Sequence, residues 1–199
     1  MTPGKSRRLI IGITGASGAI YGIRLLELLR ATDIETHLVV SKAARLTIQY
    51  ESEMKFADIE ALADVVHGHH DVGAACSSGS FKTLGMVIAP CSIRTMSEIA
   101  TGVTGNLISR SADVALKERR RVVLILRETP LHLGHIRSMA AVTEAGAIVY
   151  PPVPAFYAKP TTLMDMVDHT LGRVLDLFDV DLGTVKRWDP KAVSDEPRG

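Results

Sequence analysis

The fold of this chain is decided by residues 9–22, which read Leu-Ile-Ile-Gly-Ile-Thr-Gly-Ala-Ser-Gly-Ala-Ile-Tyr-Gly. An apolar strand runs into a turn of small residues, and a helix follows the turn. Phosphate binds at such turns in open α/β sheets, because the helix start has unpaired N–H groups and glycines let an anion approach the backbone. The stretch predicts a phosphate ester as ligand; a tight turn without any ligand is the alternative.

The glycine spacing disfavours a dinucleotide. Gly12, Gly15 and Gly18 read G-x-x-G-x-x-G, whereas the dinucleotide fingerprint is G-x-G-x-x-G. That fingerprint also requires an acidic residue after the second strand, where this chain has Ser41 and Lys42. Since a hydroxyl and an ammonium group suit a phosphate better than ribose hydroxyls, a nicotinamide-dependent oxidoreductase is disfavoured.

The pattern of apolar residues predicts the fold class. Short β-branched runs alternate with segments of helical periodicity such as Ile23, Leu26, Leu29 and Leu62, Val65, Val66. We therefore expect an α/β protein with a doubly wound, Rossmann-like parallel sheet, in a single domain with a C-terminal helix and tail. Residues 1–180 are expected to form this domain and residues 181–199 a partly flexible extension. The predicted strands are 9–13, 36–40, 86–89, 122–126 and 147–150.

Composition narrows the class of partner and the compartment. With 23 Lys and Arg against 22 Asp and Glu, the charge balance predicts neither nucleic-acid nor membrane-surface binding. Cys76 and Cys91 form no C-x-x-C motif or disulfide framework, and we find no signal-peptide pattern. No apolar run approaches the ~20 residues of a membrane span. We therefore expect a cytoplasmic protein.

The loops that follow the predicted strands carry the candidate site residues, because ligands of open parallel sheets bind at the carboxyl ends of the strands. Each of these residues taken alone is an ordinary cap or solvated charge, but together they suit a ligand with a phosphate tail and a polar ring system. FMN fits that description better than NAD does. The residues are Gly15, Ala16, Ser17, Ser41, Glu51, Ser92, Ile93, Arg94, Thr95, Arg127, Glu128 and Tyr157.

The chain also resembles a known family along nearly its whole length. The resemblance lies in Gly-Ile-Thr-Gly-Ala-Ser-Gly-Ala, Val-Val-Ser-Lys-Ala-Ala, Ser-Ser-Gly-Ser-Phe, Ala-Pro-Cys-Ser-Ile-Arg-Thr-Met-Ser, Ser-Ala-Asp-Val-Ala-Leu-Lys-Glu-Arg-Arg, Leu-Arg-Glu-Thr-Pro-Leu, Pro-Pro-Val-Pro-Ala-Phe-Tyr, and Arg173 followed by Val-Leu-Asp. These blocks resemble the UbiX-type flavin prenyltransferases, which were once described as aromatic-acid decarboxylases. Several ordered blocks are far more specific than one Gly-rich turn.

The resemblance implies a reaction and its partners. A dimethylallyl group would pass from dimethylallyl monophosphate to N5 and C6 of reduced FMN and close a fourth ring. The product, prenylated FMN, would serve a UbiD-type decarboxylase, in ubiquinone synthesis or in aromatic-acid degradation. The family needs no metal and forms homo-oligomers, commonly dodecamers.

The resemblance also assigns roles by motif position. Gly15, Ala16, Ser17, Ser41, Ser92, Ile93, Arg94, Thr95 and Arg127 would contact FMN. Tyr157 and Arg173, with Arg110, Lys117 and Glu128, would hold the prenyl phosphate. Ser17, Glu51, Arg110, Lys117 and Glu128 make up the expected catalytic group.

The residue types fit this chemistry. Loss of an allylic phosphate needs cations for the departing dianion, and it needs an aromatic face for the developing allyl cation. The flavin ring or Trp188 could supply that face. Ring closure releases a proton, which Glu51, Glu128 or the phosphate could accept.

Other interpretations remain open at this point. An FMN-dependent cysteine-type decarboxylase is the nearest enzymatic alternative, but its Pro-x-Met-Asn segment is missing. A non-catalytic flavin carrier would not need Glu128, Tyr157 and Arg173 together. The histidines at residues 67–70 and the pair His132 and His135 resemble metal tracts without a defined ligand set, so no metal is expected.

Overall fold

The computed structural model describes residues 5–183, 185 and 187. The chain divides into two compact units, one up to Pro152 and one from Val153 onward. Residues 188–199, which include Trp188 and most of the predicted extension, lie outside the described residues. The boundary expected at residue 180 stays a prediction.

The first unit is built on six parallel strands in the order β3-β2-β1-β4-β5-β6. The predicted doubly wound, Rossmann-like sheet is confirmed. The order in which successive strands are added reverses between β1 and β4, the point where open α/β sheets form their ligand crevice. The strands are β1 Arg7–Ile13, β2 Ile34–Val40, β3 Val65–His67, β4 Gly85–Cys91, β5 Arg121–Leu126 and β6 Ile148–Val149.

Helices separate the strands along the chain. In the first unit they are α1 Ala19–Leu29, α2 Lys42–Glu51, α3 Phe56–Glu60, α4 Ile93–Ala100, α5 Leu107–Lys117 and α6 Leu133–Glu144. The central strands are buried almost completely, as sheets covered on both faces require. No helix among residues 5–183 is both long and apolar enough to span a membrane.

The strand β3 corrects the prediction for residues 62–66. Leu62, Val65 and Val66 suggested a helix, but α3 ends at Glu60 and Val65–His67 pairs with β2. Three residues at a sheet edge are too few to show the alternation that reveals a strand. The remaining predicted strands differ from the structure at their ends only.

The second unit holds the helix α7, Leu163–Asp176. Its start is a capping box, in which the Thr162 hydroxyl accepts from the N–H of Asp165 and the Asp165 carboxylate accepts from the N–H of Thr162. The predicted C-terminal helix is therefore present.

Gly22 sets how closely α1 packs on the sheet. A Cβ atom at this position would overlap the carbonyl oxygen of Ala89 in β4 and would lie 2.7 Å from Cγ1 of Ile13 in β1. The Ala89 carbonyl belongs to a buried strand backbone and cannot move aside cheaply. Glycine is therefore the residue that this contact requires.

We predict that Gly22→Ala lowers the free energy of unfolding by at least about 1 kcal/mol, since overpacking typically costs 1–3 kcal/mol and outweighs the helix propensity of alanine. Urea unfolding followed by circular dichroism measures the loss. Gly105→Ala is the matched control, because a Cβ there meets nothing within 4 Å. Equal stability of the two variants would contradict this account of the packing.

Candidate functional site

A buried hydroxyl joins the loops that follow β1 and β4. Oγ1 of Thr14 donates to the carbonyl of Pro90 at 2.7 Å and accepts from the N–H of Ser92 at 2.8 Å. Thr14 is only 1% exposed, and its backbone N–H also donates to the carbonyl of Pro90, at 3.2 Å. These hydrogen bonds fix the two sides of the crevice relative to each other.

Backbone hydrogen bonds also connect the loops after β2 and β5 to the carboxyl ends of the neighbouring strands. The N–H of Ser41, after β2, donates to Ile13 at 2.9 Å, and the N–H of Arg127, after β5, donates to Cys91 at 3.2 Å. The predicted loops after β1, β2, β4 and β5 therefore meet at one edge of the sheet.

The loops after β1, β2, β3 and β4 line a cavity of about 290 Å³. It contains Gly15, Ser41, Ser92, Arg94 and Thr95 from the predicted flavin-binding set. Ala16 and Ser17 continue the Gly15 loop, while Ile93 begins α4 and packs on the buried core. The other residues that line the cavity are Lys42, Ala43, His69, Glu98 and Asn106.

Two helices begin at this cavity. The hydroxyl of Ser41 accepts from the N–H of Ala44 at the start of α2, and the hydroxyl of Ser92 accepts from the N–H of Thr95 at the start of α4. Each of these serines is an N-cap. The remaining N–H groups of both first turns favour an anion.

Small side chains and positive charge complete a place for phosphate. A Cβ at Gly15 would lie 2.5 Å from Cβ of Ala43, so only glycine fits there. Lys42 and Arg94 add cations in the first turns of α2 and α4. The cavity therefore suits the phosphate and polar tail of a flavin nucleotide.

One carboxylate lies among these groups and already has partners. Oε1 of Glu98 accepts from Nε of Arg94 at 3.0 Å, and Oε2 accepts from Nδ2 of Asn106 at 2.8 Å. The same Asn106 caps α5 with its side-chain oxygen. Because both oxygens of Glu98 are paired, Glu98 fixes Arg94 and Asn106 along the cavity wall.

The start of α1 holds an anion from the chain itself. Oε2 of Glu51, the last residue of α2, accepts from the N–H of Gly18 at 2.8 Å and from that of Ala19 at 3.0 Å. The sequence had suggested these N–H groups as a phosphate cradle. With Glu51 in place, phosphate is better accommodated at α2 and α4.

The surroundings of Glu51 hold it in the ionised form. Partial burial raises the pKa of Glu51, but hydrogen bonds from Ser17, Gly18 and Ala19 and the positive charge of Arg127 outweigh burial. The pKa of Glu51 therefore lies below its ordinary value. Ser17, Glu51 and Arg127, predicted from separate motifs, form one electrostatic group.

Two of the residues predicted for the prenyl phosphate, Arg110 and Glu128, lie toward the same edge of the sheet. Glu128 is exposed after β5, and its Oε1 accepts from the N–H of Thr129 at 3.0 Å. Arg110 lies in the first turn of α5, at the cavity end of that helix, and pairs with Asp113 at 3.2 Å. Both therefore lie toward the carboxyl edge of the sheet.

Lys117 lies apart from Arg110 and Glu128 within the described chain. It ends α5, pairs with Glu118 at 2.8 Å and lies beside Gly79, which precedes β4. Glu128 follows the other end of the six-residue strand β5, which spans roughly 17–20 Å. Helical spacing places Arg110 and Lys117 on one face but at opposite ends of α5, so within one chain Lys117 and Glu128 lie at opposite edges of the sheet. The assignment of Lys117 to the prenyl phosphate stays a prediction.

A larger groove of about 490 Å³ lies at the amino edge of the sheet and is lined by Arg119, Arg120 and Arg121. The guanidinium of Arg120 donates to the carbonyls of Phe81 and Gly79 at 2.6 and 2.7 Å. Helices α5 and α6 end at this edge, where cations balance unpaired carbonyls. We assign these arginines a structural role.

The second unit carries the other predicted substrate residues. The hydroxyl of Tyr157 is 3.5 Å from Nε2 of His169, and the two rings meet edge to face. Arg173 lies one helical turn beyond His169 on α7, hence on the same face. Arg173 pairs with Asp176 at 2.6 Å.

Sequence reasoning missed several residues of this arrangement. Thr14, His69, Glu98, Asn106 and His169 were absent from the predicted set. Asn106 could have been found as an Asn before an apolar helical segment. The pairing of Glu98 and the position of His169 opposite Tyr157 depend on the tertiary structure, and no local signal indicates them.

Comparison with known proteins gives a consistent result. The model of the Flavoprotein family matches residues 2–180. The flavin prenyltransferase UbiX of Escherichia coli K12 is 58% identical over 177 residues, covering 88% of this chain and 94% of the relative.

Two solved structures share the fold and much of the sequence. One is AnUbiX (PadA1) in complex with FMN and dimethylallyl pyrophosphate, with a TM-score of 0.90, 51% identity and coverage of 92% of this chain and 97% of that chain. The other is a dodecameric FMN-dependent UbiX-like decarboxylase from Escherichia coli O157:H7, with a TM-score of 0.89, 45% identity and coverage of 92% and 99%. By contrast, the cysteine decarboxylase SpaF is 18% identical at a TM-score of 0.59, a likeness of fold alone.

We predict that Glu51→Ala lowers the free energy of unfolding by about 1 kcal/mol at neutral pH, because two N–H groups at the start of α1 lose their partner. The lowered pKa of Glu51 means that its contribution is present above the ordinary value of 4.5 and is lost as the pH falls through the folded-state value. Urea unfolding at several pH values measures both effects.

The control for this measurement is Glu53→Ala, which changes an exposed carboxylate two residues away. It should leave stability unchanged. A stability difference between wild type and Glu51→Ala that persists undiminished well below pH 4 would contradict the assigned role of the carboxylate.

Proposed function

Because this chain belongs to the UbiX flavin prenyltransferases within the Flavoprotein family, we propose that it transfers a dimethylallyl group from dimethylallyl monophosphate to N5 and C6 of reduced FMN. The observation that carries the proposal is the meeting of four strand-end loops at one cavity with two capped helix starts. Reduced FMN supplies the two nucleophilic positions. The remaining steps fall to the side chains of this chain.

The flavin phosphate is held at the starts of α2 and α4. Ser41, Ser92 and Thr95 offer hydroxyls, and Lys42 and Arg94 offer charge. The Gly15 turn with Ala16 and Ser17 then borders the flavin, together with Ile93 and Arg127. This division leaves the start of α1 to Glu51 and keeps two anions from competing for one helix dipole.

The prenyl phosphate requires cations that stabilise it as it leaves. We assign this task to Arg110 and Arg173, whose guanidinium groups can bind phosphate through two parallel hydrogen bonds. Tyr157 donates a further hydrogen bond and Glu128 accepts a proton beside the phosphate. Trp188, outside the described residues, remains a proposed aromatic contact for the allyl group.

Attachment at N5 would release the N5 proton, and closure onto C6 would add a proton to the prenyl double bond and release one from C6. The site therefore needs a group that can both accept and return a proton. Glu51 is ionised at neutral pH and is linked to Ser17, so it can accept a proton near the flavin, while Glu128 or the phosphate can do so at the other substrate. We propose that no metal takes part and that the reaction is cytoplasmic. We also propose a dodecameric assembly, which a 45% identical relative forms.

The proposed product would be consumed by a UbiD-type decarboxylase. The nature of the donor also belongs to the proposal, because the AnUbiX (PadA1) complex contains dimethylallyl pyrophosphate. A single cluster of cations would accept either phosphate.

Anaerobic incubation with reduced FMN and a prenyl donor tests the proposal directly. Mass analysis of the released flavin should show the added dimethylallyl group with the monophosphate and much less with the pyrophosphate. Unmodified flavin with both donors would refute the proposed activity. Unmodified flavin with FMN retained by the protein would indicate a flavin carrier. Release of carbon dioxide from a cysteine carboxylate in a parallel incubation would favour the cysteine decarboxylase alternative.

We predict that Glu128→Gln lowers turnover by about 100-fold, the lower range for loss of a proton-transfer group. Tyr157→Phe should lower it about tenfold through one lost hydrogen bond. Both variants should bind FMN as the wild type does, since both residues serve the other substrate. Steady-state kinetics and FMN titration measure the two effects.

Glu53→Gln and Tyr50→Phe provide matched controls, because both residues are exposed and lie outside the assigned site. They should retain wild-type turnover. Loss of FMN binding in Glu128→Gln or Tyr157→Phe, with the fold preserved, would refute the assignment of these residues to the prenyl donor.

A further inference from the structure

His69 is the cavity residue that the proposed function does not use. It lines the cavity together with Ser41, Ser92 and Arg94. Its backbone is fixed, because its carbonyl accepts from the N–H of Leu107 at 2.9 Å. This hydrogen bond ties the loop after β3 to the first residue of α5.

The ring of His69 has an unusual hydrogen-bonding state. Its Nδ1 atom is buried and has no partner among the residues that the structure describes. Folded proteins satisfy nearly all buried polar atoms, and an exception calls for an explanation such as a ligand. Because His69 lines a cavity suited to phosphate, the missing partner points to a ligand oxygen that Nδ1 meets once the ring turns toward the cavity.

Burial and the neighbouring charges favour the neutral form of His69 before a ligand binds. Burial has the largest effect and lowers the pKa of His69, and the charges of His70 and Arg94 lower it further, against an opposite effect of Glu98. Lys42 adds another positive charge to the cavity wall. Glu98 is already paired with Arg94 and Asn106, so it leaves the His69 ring available.

We propose that His69 is a further binding residue of this site and donates a hydrogen bond from Nδ1 to the phosphate group of FMN. The inference rests on the proposed function, which places that phosphate at the starts of α2 and α4. His69 contributes to the recognition of FMN over riboflavin, which has the same ring and ribityl chain but no phosphate.

The proposed hydrogen bond makes the contribution of His69 to FMN affinity depend on pH. A phosphate anion beside the ring favours imidazolium, so FMN binding raises the pKa of His69 from its lowered value. The contribution of His69 to FMN affinity is then greatest at low pH and declines as the pH rises through the pKa of the complex. The phosphate of FMN itself titrates near pH 6, so a comparison with a variant is needed to isolate the histidine.

The test compares FMN and riboflavin binding by the full-length wild type, His69→Gln and His70→Gln, using flavin fluorescence between pH 5.5 and 8. We expect His69→Gln to weaken FMN binding roughly tenfold at the acidic end, the range of one charge-assisted hydrogen bond. Riboflavin affinity should change by less than about twofold. The difference between wild type and variant should shrink as the pH rises. His70→Gln alters the same loop at an exposed position, but the His70 ring meets the His69 ring edge to face and lowers the pKa of His69. This variant should keep the wild-type preference for FMN over riboflavin, while its pH dependence moves to higher pH.

Three outcomes would overturn the inference. FMN affinity could be unchanged in His69→Gln, FMN and riboflavin could weaken equally, or the loss could be independent of pH. An equal loss would place His69 against the ring or in loop packing. Absence of FMN binding in the wild type would instead refute the proposed function, and the two failures are thereby distinguished.

A second measurement uses the wild type alone, in case the variant folds poorly. In ¹⁵N-histidine-labelled protein, FMN should raise the pKa of one imidazole whose signals riboflavin leaves unchanged. The His70→Gln protein should retain that signal. No imidazole pKa that rises with FMN would overturn the inference.

Discussion

The site depends on the buried hydroxyl of Thr14. This one side chain both donates to the loop after β4 and accepts from it, at the place where the order of strands reverses. A parallel sheet aligns its strand ends but does not by itself fix the loops that follow them. The Thr14 hydrogen bonds supply that missing constraint, and the cavity between Gly15 and Ser92 follows from it.

The starts of α1, α2 and α4 differ in the anion that they can hold: a carboxylate of the chain itself or an external phosphate. The start of α1 is neutralised by Glu51, while the starts of α2 and α4 have serine caps and cations beside them. A serine cap uses one N–H group and adds no charge, whereas a carboxylate cap cancels the attraction for a second anion. The residue chosen to cap each helix therefore decides where an external phosphate can bind.

Sequence predicted the parts of this arrangement that are local. Alternating strands and helices fixed the sheet, and the strand-end loops containing Ser41, Ser92 and Arg127 were correctly placed at one edge. Contacts between distant segments were not accessible: Glu51 reaches Gly18 across 33 residues, and no periodicity encodes that. Lys117 shows a second limit of sequence reasoning, because spacing along a helix gives the face on which a residue lies but not which edge of the sheet it is near.

The group formed by Ser17, Glu51 and Arg127 has competing requirements. Each hydrogen bond that keeps Glu51 ionised also makes it a weaker base. Capping α1 and accepting a proton therefore place opposite demands on the Glu51 carboxylate. The two roles are compatible if Arg127 moves away from Glu51, or the Ser17 hydroxyl stops donating to it, when the proton is transferred. Loss of either interaction raises the pKa of Glu51 and makes it a stronger base. Arg127 and the Ser17 hydroxyl are the neighbours that can change, because the N–H groups of Gly18 and Ala19 belong to the fixed start of α1. In the proposed reaction, the capacity of Glu51 to accept a proton would therefore depend on how a bound ligand engages Ser17 and Arg127.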